Sequence, residues 1–434
     1  MFRPDLNPGT FRIAIVTVFL LGLILRVIAM DLTPARWLSP HVTRWDSAAY
    51  GPYLENDEKI YIALTGQLEA GKGYTLQGNP ILSQPWITRE QYDKPLFYHP
   101  PGGIALFWLI HQVAGNAGYA LAQVLCFGIF FWSALLLGSV VLLPFNRIAV
   151  LAAMILASFT PILGHVAGRF WLEGPLLAFS TAAAAFFLVG ITRRNTPLVC
   201  LAAALLGYAS LIKLTAFLVV PGSVALAWAI TPRAQFRTLI VPSLLFIAIA
   251  LLIQLPWEIW QWRAVGSPFP SWAGKPLEEM VRTNRYVHYV TVVRSPWVYL
   301  ELLPQVIWTL IPSLILLAMQ WREPELRRRG AALVGWIVFV VGVNIVLGMM
   351  GYSKLLRFVI LVTPATVLLF ALVVGGVLEA IRDGKWLPGG KSVTLALLLL
   401  AAAGLGLEIT QGLKTSLVDN RTYDLIIPLA GLPQ

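Results

Sequence analysis

The chain contains little charge and almost no cysteine. Of its 434 residues 12% are charged and 58% are hydrophobic, whereas a soluble globular domain carries about 25% charged residues. The two cysteines, Cys126 and Cys200, both lie inside apolar runs, so they cannot supply a disulfide framework or a zinc ligand set. This composition excludes a water-soluble globule and a disulfide-rich secreted domain.

Several motifs of common enzyme classes are also missing. The sequence has no Walker loop, no dinucleotide-binding glycine fingerprint, no Gly-x-Ser-x-Gly and no His-Glu-x-x-His. It has no internal repeat and no low-complexity tract, so a solenoid or a linker is not indicated. Nucleotide hydrolysis is therefore not expected of this chain.

The net charge is +11, but its distribution argues against nucleic-acid binding. The basic residues stand in short clusters between apolar runs, whereas a nucleic-acid surface needs them along one face. Such clusters are typical of the cytoplasmic loops of membrane proteins. We interpret them as topology signals and expect the membrane, with no nucleic acid, as the environment of the chain.

Apolar runs predict an all-α polytopic membrane protein with about eleven transmembrane helices in a single domain. The first run resembles a signal sequence but is long and lacks a cleavage site, so we predict an uncleaved span. The predicted spans cover 12–31, 118–143, 148–166, 173–192, 197–212, 214–231, 238–256, 297–320, 331–350, 357–380 and 391–411.

The basic clusters set the predicted orientation, with the N-terminus in the cytoplasm. All of them fall on that side if the apolar stretch 95–114 does not cross the membrane, and we therefore predict a juxtamembrane or re-entrant helix there. Residues 32–117 then form a long first extracytoplasmic loop, 257–296 a second one, and 412–434 a tail. The clusters are Arg147, Arg193-Arg194, Arg233 with Arg237, Arg322 with Arg327-Arg328-Arg329, and Arg382 with Lys385.

The first loop carries an ordered series of motifs. These are Asp57-Glu58 followed by Tyr61, Gly71-Lys72-Gly73-Tyr74, Asp93-Lys94-Pro95, and Tyr98-His99-Pro100-Pro101-Gly102. The series resembles the first loop of the C superfamily of glycosyltransferases, which includes protein O-mannosyltransferases and lipid A aminoarabinose transferases. The resemblance extends over roughly residues 12–380 and is strongest over 46–115. Further matches are Glu173 after an outer turn, Lys213 in an apolar stretch, and Lys354, Arg357 and Phe358.

The resemblance implies an enzyme of the plasma or inner membrane that acts on its extracytoplasmic side. It would transfer a sugar, with inversion, from a polyprenyl-phosphate donor to a lipid, glycan or protein acceptor. Two positions depart from the family pattern, since His99 stands where many members have Lys and Phe358 where many have Tyr. The implied residues are Asp57, Glu58 and Glu173 for catalysis, Lys94, His99, Lys354 and Arg357 for the donor phosphate, and Tyr61, Tyr98 and Lys213 for sugar or lipid contacts.

The chemistry of such a transfer accounts for these residue types. An acceptor hydroxyl or amine needs a carboxylate to take its proton, and the leaving phosphate needs cations. Asp57 fits the base, while Glu58 would orient a partner or, with His99, hold a divalent metal; no cofactor is certain. Lys354 and Arg357 are expected to act on the phosphate rather than on folding. Acids at the start of an interfacial helix also occur for purely structural reasons.

Two intramembrane cations leave alternatives open. Lys213 requires a counter-charge, for which Glu173 is a candidate, and Arg26 is expected to extend towards the outer interface. A lipid or solute transporter would use both cations along a substrate path. A lipid-linked oligosaccharide ligase would use arginines of a late loop, and Arg282, Arg285 and Arg294 keep that alternative open. The sequence identifies neither the sugar nor the acceptor.

Overall fold

A computed structural model describes residues 6–29, 56–83, 100–115, 117–142, 146–167, 170–265 and 289–417. These residues form α-helices joined by turns and short 3₁₀ or π segments, and no β-strand occurs among them. The helices are α1 Pro8–Ala29, α2 Asn56–Glu69, α3 Gly102–Ala114, α4 Ala117–Val141, α5 Arg147–Phe159, α6 Pro161–Ala167, α7 Glu173–Thr192, α8 Thr196–Ile212, α9 Val219–Ile230, α10 Ile240–Val265, α11 Val298–Val306, α12 Leu310–Met319, α13 Pro324–Met349, α14 Thr363–Arg382 and α15 Gly390–Leu417.

The predicted all-α membrane architecture is confirmed. Among the described residues, 8 segments are long and apolar enough to cross a membrane. The predicted spans 197–212 and 214–231 coincide with shorter apolar helices of 10–17 residues, whereas the predicted span 297–320 is divided into α11 and α12. Every predicted span therefore falls mainly on helix, because a chain in hydrocarbon must satisfy its backbone hydrogen bonds within the segment.

Helix boundaries follow local chemistry as well as hydropathy. Proline cannot donate a backbone hydrogen bond and favours an extended preceding residue, and accordingly Thr160 is extended before Pro161, dividing the predicted span 148–166. Lys213 is also extended and ends α8. Helix α10 continues to Val265, beyond the predicted end at 256. Helix α13 begins at Pro324, before the predicted start at 331. Apolar patterning marks the lipid-embedded part of a helix but not its water-exposed extension.

One end of the helix bundle collects the predicted basic clusters, and we call it the basic end. Arg147 donates to the Leu6 carbonyl at 2.9 Å, which places the start of α5 beside the start of α1. Arg329 donates to the carbonyl of Val141 at 2.6 Å, at the end of α4. Arg194 bonds the Gln235 side chain at 3.2 Å.

The opposite end of the bundle, which we call the site end, holds both ends of α3. The Tyr208 hydroxyl near the end of α8 donates to the Gly102 carbonyl at the start of α3. The amide of Gln123, in the first turns of α4, reaches the backbone beside the start of α7. Because α3 has 13 residues, it spans about 20 Å, less than the roughly 30 Å of a hydrocarbon core. The non-crossing topology of 95–114 stays a prediction, and this geometry provides its structural basis.

Arg26 does not extend to the interface as expected. Its residue is 2% exposed, its guanidinium lies 4.1 Å from the Phe127 ring centroid, and it donates to the Ser158 carbonyl. The C-terminal carbonyls of a helix carry partial negative charge, and Ser158 is in the last turn of α5. The prediction was wrong because α1 packs against α5 on the face that carries Arg26.

Candidate active site

Five charged residues predicted from separate parts of the chain converge at the site end. Asp57 and Glu58 lie in the first turn of α2, and Glu173 begins α7. Lys213 follows α8, and Arg357 lies in the 3₁₀ segment Leu356–Val362 before α14. Their positions in the chain are far apart, so only the packing of the helices unites them.

Four of these residues form a continuous chain of alternating charge. Arg357 bonds Asp57 Oδ2 through an NH2 group at 2.6 Å, and its Nε is 3.6 Å from Glu173 Oε1. Lys213 Nζ donates to the same Glu173 oxygen at 2.6 Å. The counter-charge expected for Lys213 is therefore present. The cations compensate two carboxylates that would otherwise be costly to hold at the membrane boundary.

Solvent access separates the three carboxylates. The Asp57 side chain is 27% exposed, whereas the Glu173 side chain is 2% exposed and Glu58 is completely buried. Successive helix residues point about 100° apart, so neighbouring positions 57 and 58 face different surroundings. Only Asp57 among the three offers a carboxylate that an incoming molecule can reach directly.

Glu58 points into the core and contacts the backbone. Its Oε1 accepts a hydrogen bond from the Phe170 amide at 2.6 Å. Among the residues that the structure describes, no group of three or more His, Cys, Asp or Glu side chains could hold a metal ion. His99, the other predicted metal candidate, lies outside the described ranges, so metal binding stays a prediction without support from the Glu58 contact.

Aromatic rings line the cationic part of the site. The Arg357 guanidinium lies 4.2 Å from the Trp171 ring centroid and 5.7 Å from that of Phe358. Lys213 Nζ lies 5.2 Å from the Phe358 ring. Cations within about 6 Å of a ring face are attracted to its negative face. Phe358 thus supplies a ring but no hydroxyl at the position where the family often has Tyr.

Lys354 lies in a second cationic group. It is 3% exposed, and its ammonium donates to the Thr291 carbonyl. Arg294 donates to the Lys354 carbonyl at 2.7 Å. Burial, and then the positive charge of Arg294, lower the pKa of Lys354. Two buried cations side by side create a positive environment suited to an anion.

The remaining predicted site residues are either buried or outside the described residues. Tyr61 is 2% exposed, and its ring packs edge-on against Phe170 with centroids 6.3 Å apart, so its visible contact is with the core rather than with a ligand surface. Arg357 is 7% exposed and contacts both Asp57 of α2 and Glu173 of α7; the expectation that it acts on the donor phosphate rather than on folding stays a prediction. Lys94, Tyr98 and His99 lie outside the described residues.

The sequence did not single out Trp171 or Gln123 as site residues, and it indicated Arg294 only for the ligase alternative. Trp171 lies next to the predicted Glu173, but tryptophan is common at any membrane interface. The Gln123 amide donates to the Trp171 carbonyl at 2.8 Å. The polar Gln123 inside an apolar run could have indicated such a contact, because polar side chains in a membrane span usually have a packing or functional role.

Comparison with known proteins shows which families and structures this chain resembles. A family model described as dolichyl-phosphate-mannose-protein mannosyltransferase matches residues 98–260, which begin after the Asp57-Glu58 segment. No curated protein sequence matches the chain. The structure of ArnT from Cupriavidus metallidurans bound to undecaprenyl phosphate is similar, with a TM-score of 0.59 and 14% identity, covering 97% of this chain and 78% of that one.

Archaeal oligosaccharyltransferase structures are also similar. The Archaeoglobus fulgidus enzyme tethered with an acceptor peptide has a TM-score of 0.52 and 14% identity, covering 93% of this chain and 55% of that one. The same organism's AglB in complex with an inhibitory peptide and a dolichol-phosphate has a TM-score of 0.52 and 14% identity, covering 93% and 56%. This chain thus spans little more than half the length of those oligosaccharyltransferases. The chain therefore shares the fold of ArnT and of these oligosaccharyltransferases, and part of it matches the mannosyltransferase family model, in agreement with the resemblance found in the sequence.

Proposed function

We propose that this protein transfers a single sugar from a polyprenyl-phosphate donor to an acceptor at the extracytoplasmic membrane face. The observation that carries the proposal is the alternating chain of Asp57, Arg357, Glu173 and Lys213 at the site end. It places one accessible carboxylate beside cations, which is the arrangement that glycosyl transfer from a phosphate requires. The similar ArnT structure contains undecaprenyl phosphate, which supports a donor of this class.

Asp57 is the proposed general base because it is the accessible carboxylate. An acceptor hydroxyl or amine attacks the anomeric carbon while its proton moves to the Asp57 carboxylate. The bond between the anomeric carbon and the phosphate oxygen breaks, and its electron pair stays on the leaving polyprenyl phosphate. Positioned proton transfer of this kind contributes about 10²–10⁴ in rate.

Arg357 is the proposed contact to the leaving phosphate. Its guanidinium contacts both Asp57 and the Trp171 ring, and it is therefore next to the carboxylate where the acceptor would bind. Charge-assisted hydrogen bonds from Arg to phosphate are strong and directional. Lys354, with Arg294 beside it, is proposed to add positive potential for the same group. Lys94 and His99 are kept in the proposed phosphate set on the family resemblance, and Tyr98 in the sugar or lipid contacts.

Inversion follows from a single displacement with one base. A retaining mechanism requires a second carboxylate that acts as nucleophile at about 5–5.5 Å from the first. Glu173 is the nearest candidate, but its side chain is 2% exposed and bonded to Lys213. We therefore assign Glu173 to the placement of Lys213 and Arg357, and Lys213 to the sugar or lipid side of the site.

The extracytoplasmic location rests on the two ends of the bundle. Positive residues concentrate on the cytoplasmic side of membrane proteins, and here they concentrate at the basic end. The charged chain lies at the opposite end. The acceptor, whether lipid, glycan or protein side chain, would approach from the extracytoplasmic aqueous phase or from the outer leaflet.

The test is release of the lipid product by the purified protein. Detergent-solubilised protein is given a panel of polyprenyl-phosphate sugars together with a cell-envelope fraction that contains lipid, glycan and protein acceptors. We expect free polyprenyl phosphate to appear with at least one sugar, and much less of it with Asp57→Asn. Donor binding without release for any sugar would contradict the proposal and favour a transporter.

A ligase is the second candidate function, because Arg294 of the predicted second loop lies against Lys354. A ligase transfers a preassembled oligosaccharide, so the size of the donor glycan decides between the two. The same assay with a polyprenyl-linked oligosaccharide should give no product if the monosaccharide transferase assignment is correct. Turnover with that donor alone would reverse the assignment.

A further inference from the structure

The segment Phe170–Glu173, which leads into α7, carries two groups that contact Arg357. Trp171 places its ring under the guanidinium at 4.2 Å, and Glu173 approaches its Nε at 3.6 Å. The position of Arg357, and with it the geometry of the proposed phosphate contact, therefore depends on where this short segment lies.

Side chains from two other helices hold the backbone of this segment. The Glu58 carboxylate of α2 accepts from the Phe170 amide at 2.6 Å. The Gln123 amide of α4 donates to the Trp171 carbonyl at 2.8 Å. A buried backbone group left without such a partner costs about 1–3 kcal/mol, so both contacts constrain the segment. Phe170 and Trp171 are themselves fully buried, which leaves the backbone little access to water.

The close approach of the Gln123 side chain depends on the residue after Glu173. A Cβ atom built at Gly174 would lie 2.1 Å from Gln123 Oε1, a distance that no real contact tolerates. Glycine at this position lets the Gln123 amide reach the Trp171 carbonyl. The segment is thus fitted between α2 and α4, with Glu58 on one side and Gln123 on the other.

We infer that Glu58 is a positioning residue, which acts through the Phe170 amide to hold Trp171 and Glu173 against Arg357. Its complete burial separates it from any acceptor, in contrast to Asp57 one position earlier. The assignment rests on the proposed transfer reaction at this site. It replaces the catalytic or metal-binding role that the Asp57-Glu58 pair suggested in the sequence.

Glu58→Gln and Glu58→Leu separate positioning from chemistry. A Gln side chain keeps an oxygen that accepts the Phe170 amide but cannot act as a base, whereas Leu removes the acceptor. We expect Glu58→Gln to bind undecaprenyl phosphate and to transfer sugar within about fivefold of the unsubstituted protein. Glu58→Leu should bind undecaprenyl phosphate at least about tenfold more weakly, the equivalent of about 1.4 kcal/mol.

Glu408→Leu is the matched control for general destabilisation. Glu408 on α15 is also a buried carboxylate, 2% exposed, and accepts from the Thr309 amide at 3.2 Å, but it has no contact with the Phe170–Glu173 segment among the described residues. Its replacement should lower the Tm while leaving the undecaprenyl phosphate affinity of the folded protein unchanged. A loss of affinity in Glu58→Leu beyond that control therefore reports on positioning.

Three outcomes overturn the inference. One is a folded Glu58→Gln that binds undecaprenyl phosphate normally but no longer transfers sugar, because this gives Glu58 a chemical role. Another is a Glu58→Leu with unchanged affinity, and the third is equal loss of affinity in the Glu408→Leu control. If Glu58→Leu does not fold, the transfer rate of Glu58→Gln alone decides whether Glu58 has a positioning or a chemical role. Failure of the proposed function is recognised separately, as absence of transfer in the unsubstituted protein.

Discussion

Replacing Asp57 by Asn tests the proposed base and also a competition visible in the structure. Asp57 Oδ2 occupies the NH2 group of Arg357 at 2.6 Å, and we propose that the same guanidinium binds the donor phosphate. The phosphate must then displace Asp57, or share Arg357 with it. Asn retains the shape of the side chain and a neutral oxygen acceptor, but removes the negative charge.

The expected magnitudes follow from that geometry. Asn still accepts a hydrogen bond from the charged guanidinium but loses the ion-pair attraction, so the Asp57–Arg357 contact weakens by up to about 1 kcal/mol. Asp57 is 27% exposed, and solvent screening reduces the effect on stability further. Undecaprenyl phosphate should bind Asp57→Asn with unchanged affinity or up to about fivefold more tightly, since about 1.4 kcal/mol corresponds to tenfold. Transfer should fall at least about a hundredfold because the proton acceptor is lost.

Two measurements on the same detergent preparation check the expected change in affinity and the expected change in transfer rate. Binding of undecaprenyl phosphate is measured by titration, and transfer by the release of free polyprenyl phosphate from the donor. Asp383→Asn is the matched control, because Asp383 is an exposed aspartate beside Arg382 at the end of α14; it should change neither quantity. Transfer by Asp57→Asn at near the normal rate would show that the base is another carboxylate. Weaker binding of undecaprenyl phosphate would refute the competition for Arg357.

Three further predictions concern the cations and the topology. Lys213→Met should destabilise the protein by about 3 kcal/mol, because breaking a buried ion pair leaves the charge of Glu173 incompletely compensated. Measured as Tm, part of this loss should be recovered when Glu173→Gln is added. An unchanged Tm for Lys213→Met would contradict the pairing. Arg357→Ala should lower the Tm and weaken undecaprenyl phosphate binding at least about tenfold through loss of a charge-assisted hydrogen bond. Arg357→Lys should have an intermediate affinity. Normal affinity in the Ala variant would show that Arg357 does not bind the phosphate. In a background without Cys126 and Cys200, Asn116→Cys should react with an impermeant thiol reagent from the extracytoplasmic side and Arg194→Cys from the cytoplasmic side. Reaction of Asn116→Cys from the cytoplasmic side would show that α3 crosses.

The sequence by itself determined the class of fold and the polarity of the bundle. Apolar runs in a chain with few charges are stable in lipid as helices, so the eleven predicted spans all fall mainly on helix, although 148–166 and 297–320 are each divided into two helices. The basic clusters between them predicted which helix ends lie together. Glu173 was identified as a candidate partner of Lys213 because an ionisable group in a span needs a counter-charge. These inferences depend on local composition, which a single sequence records.

Only the tertiary structure decided what each site residue contacts. Asp57 and Glu58 are adjacent and chemically alike, yet one meets Arg357 and the other the Phe170 amide, because the rotation of α2 against the segment before α7 separates them. The same applies to Arg26, whose direction was set by the packing of α1 against α5. Trp171 and Gln123 enter the site through contacts between helices distant in the chain. Periodicity and motif spacing place a residue on an element, but the packing of that element against its neighbours decides which partner the side chain reaches.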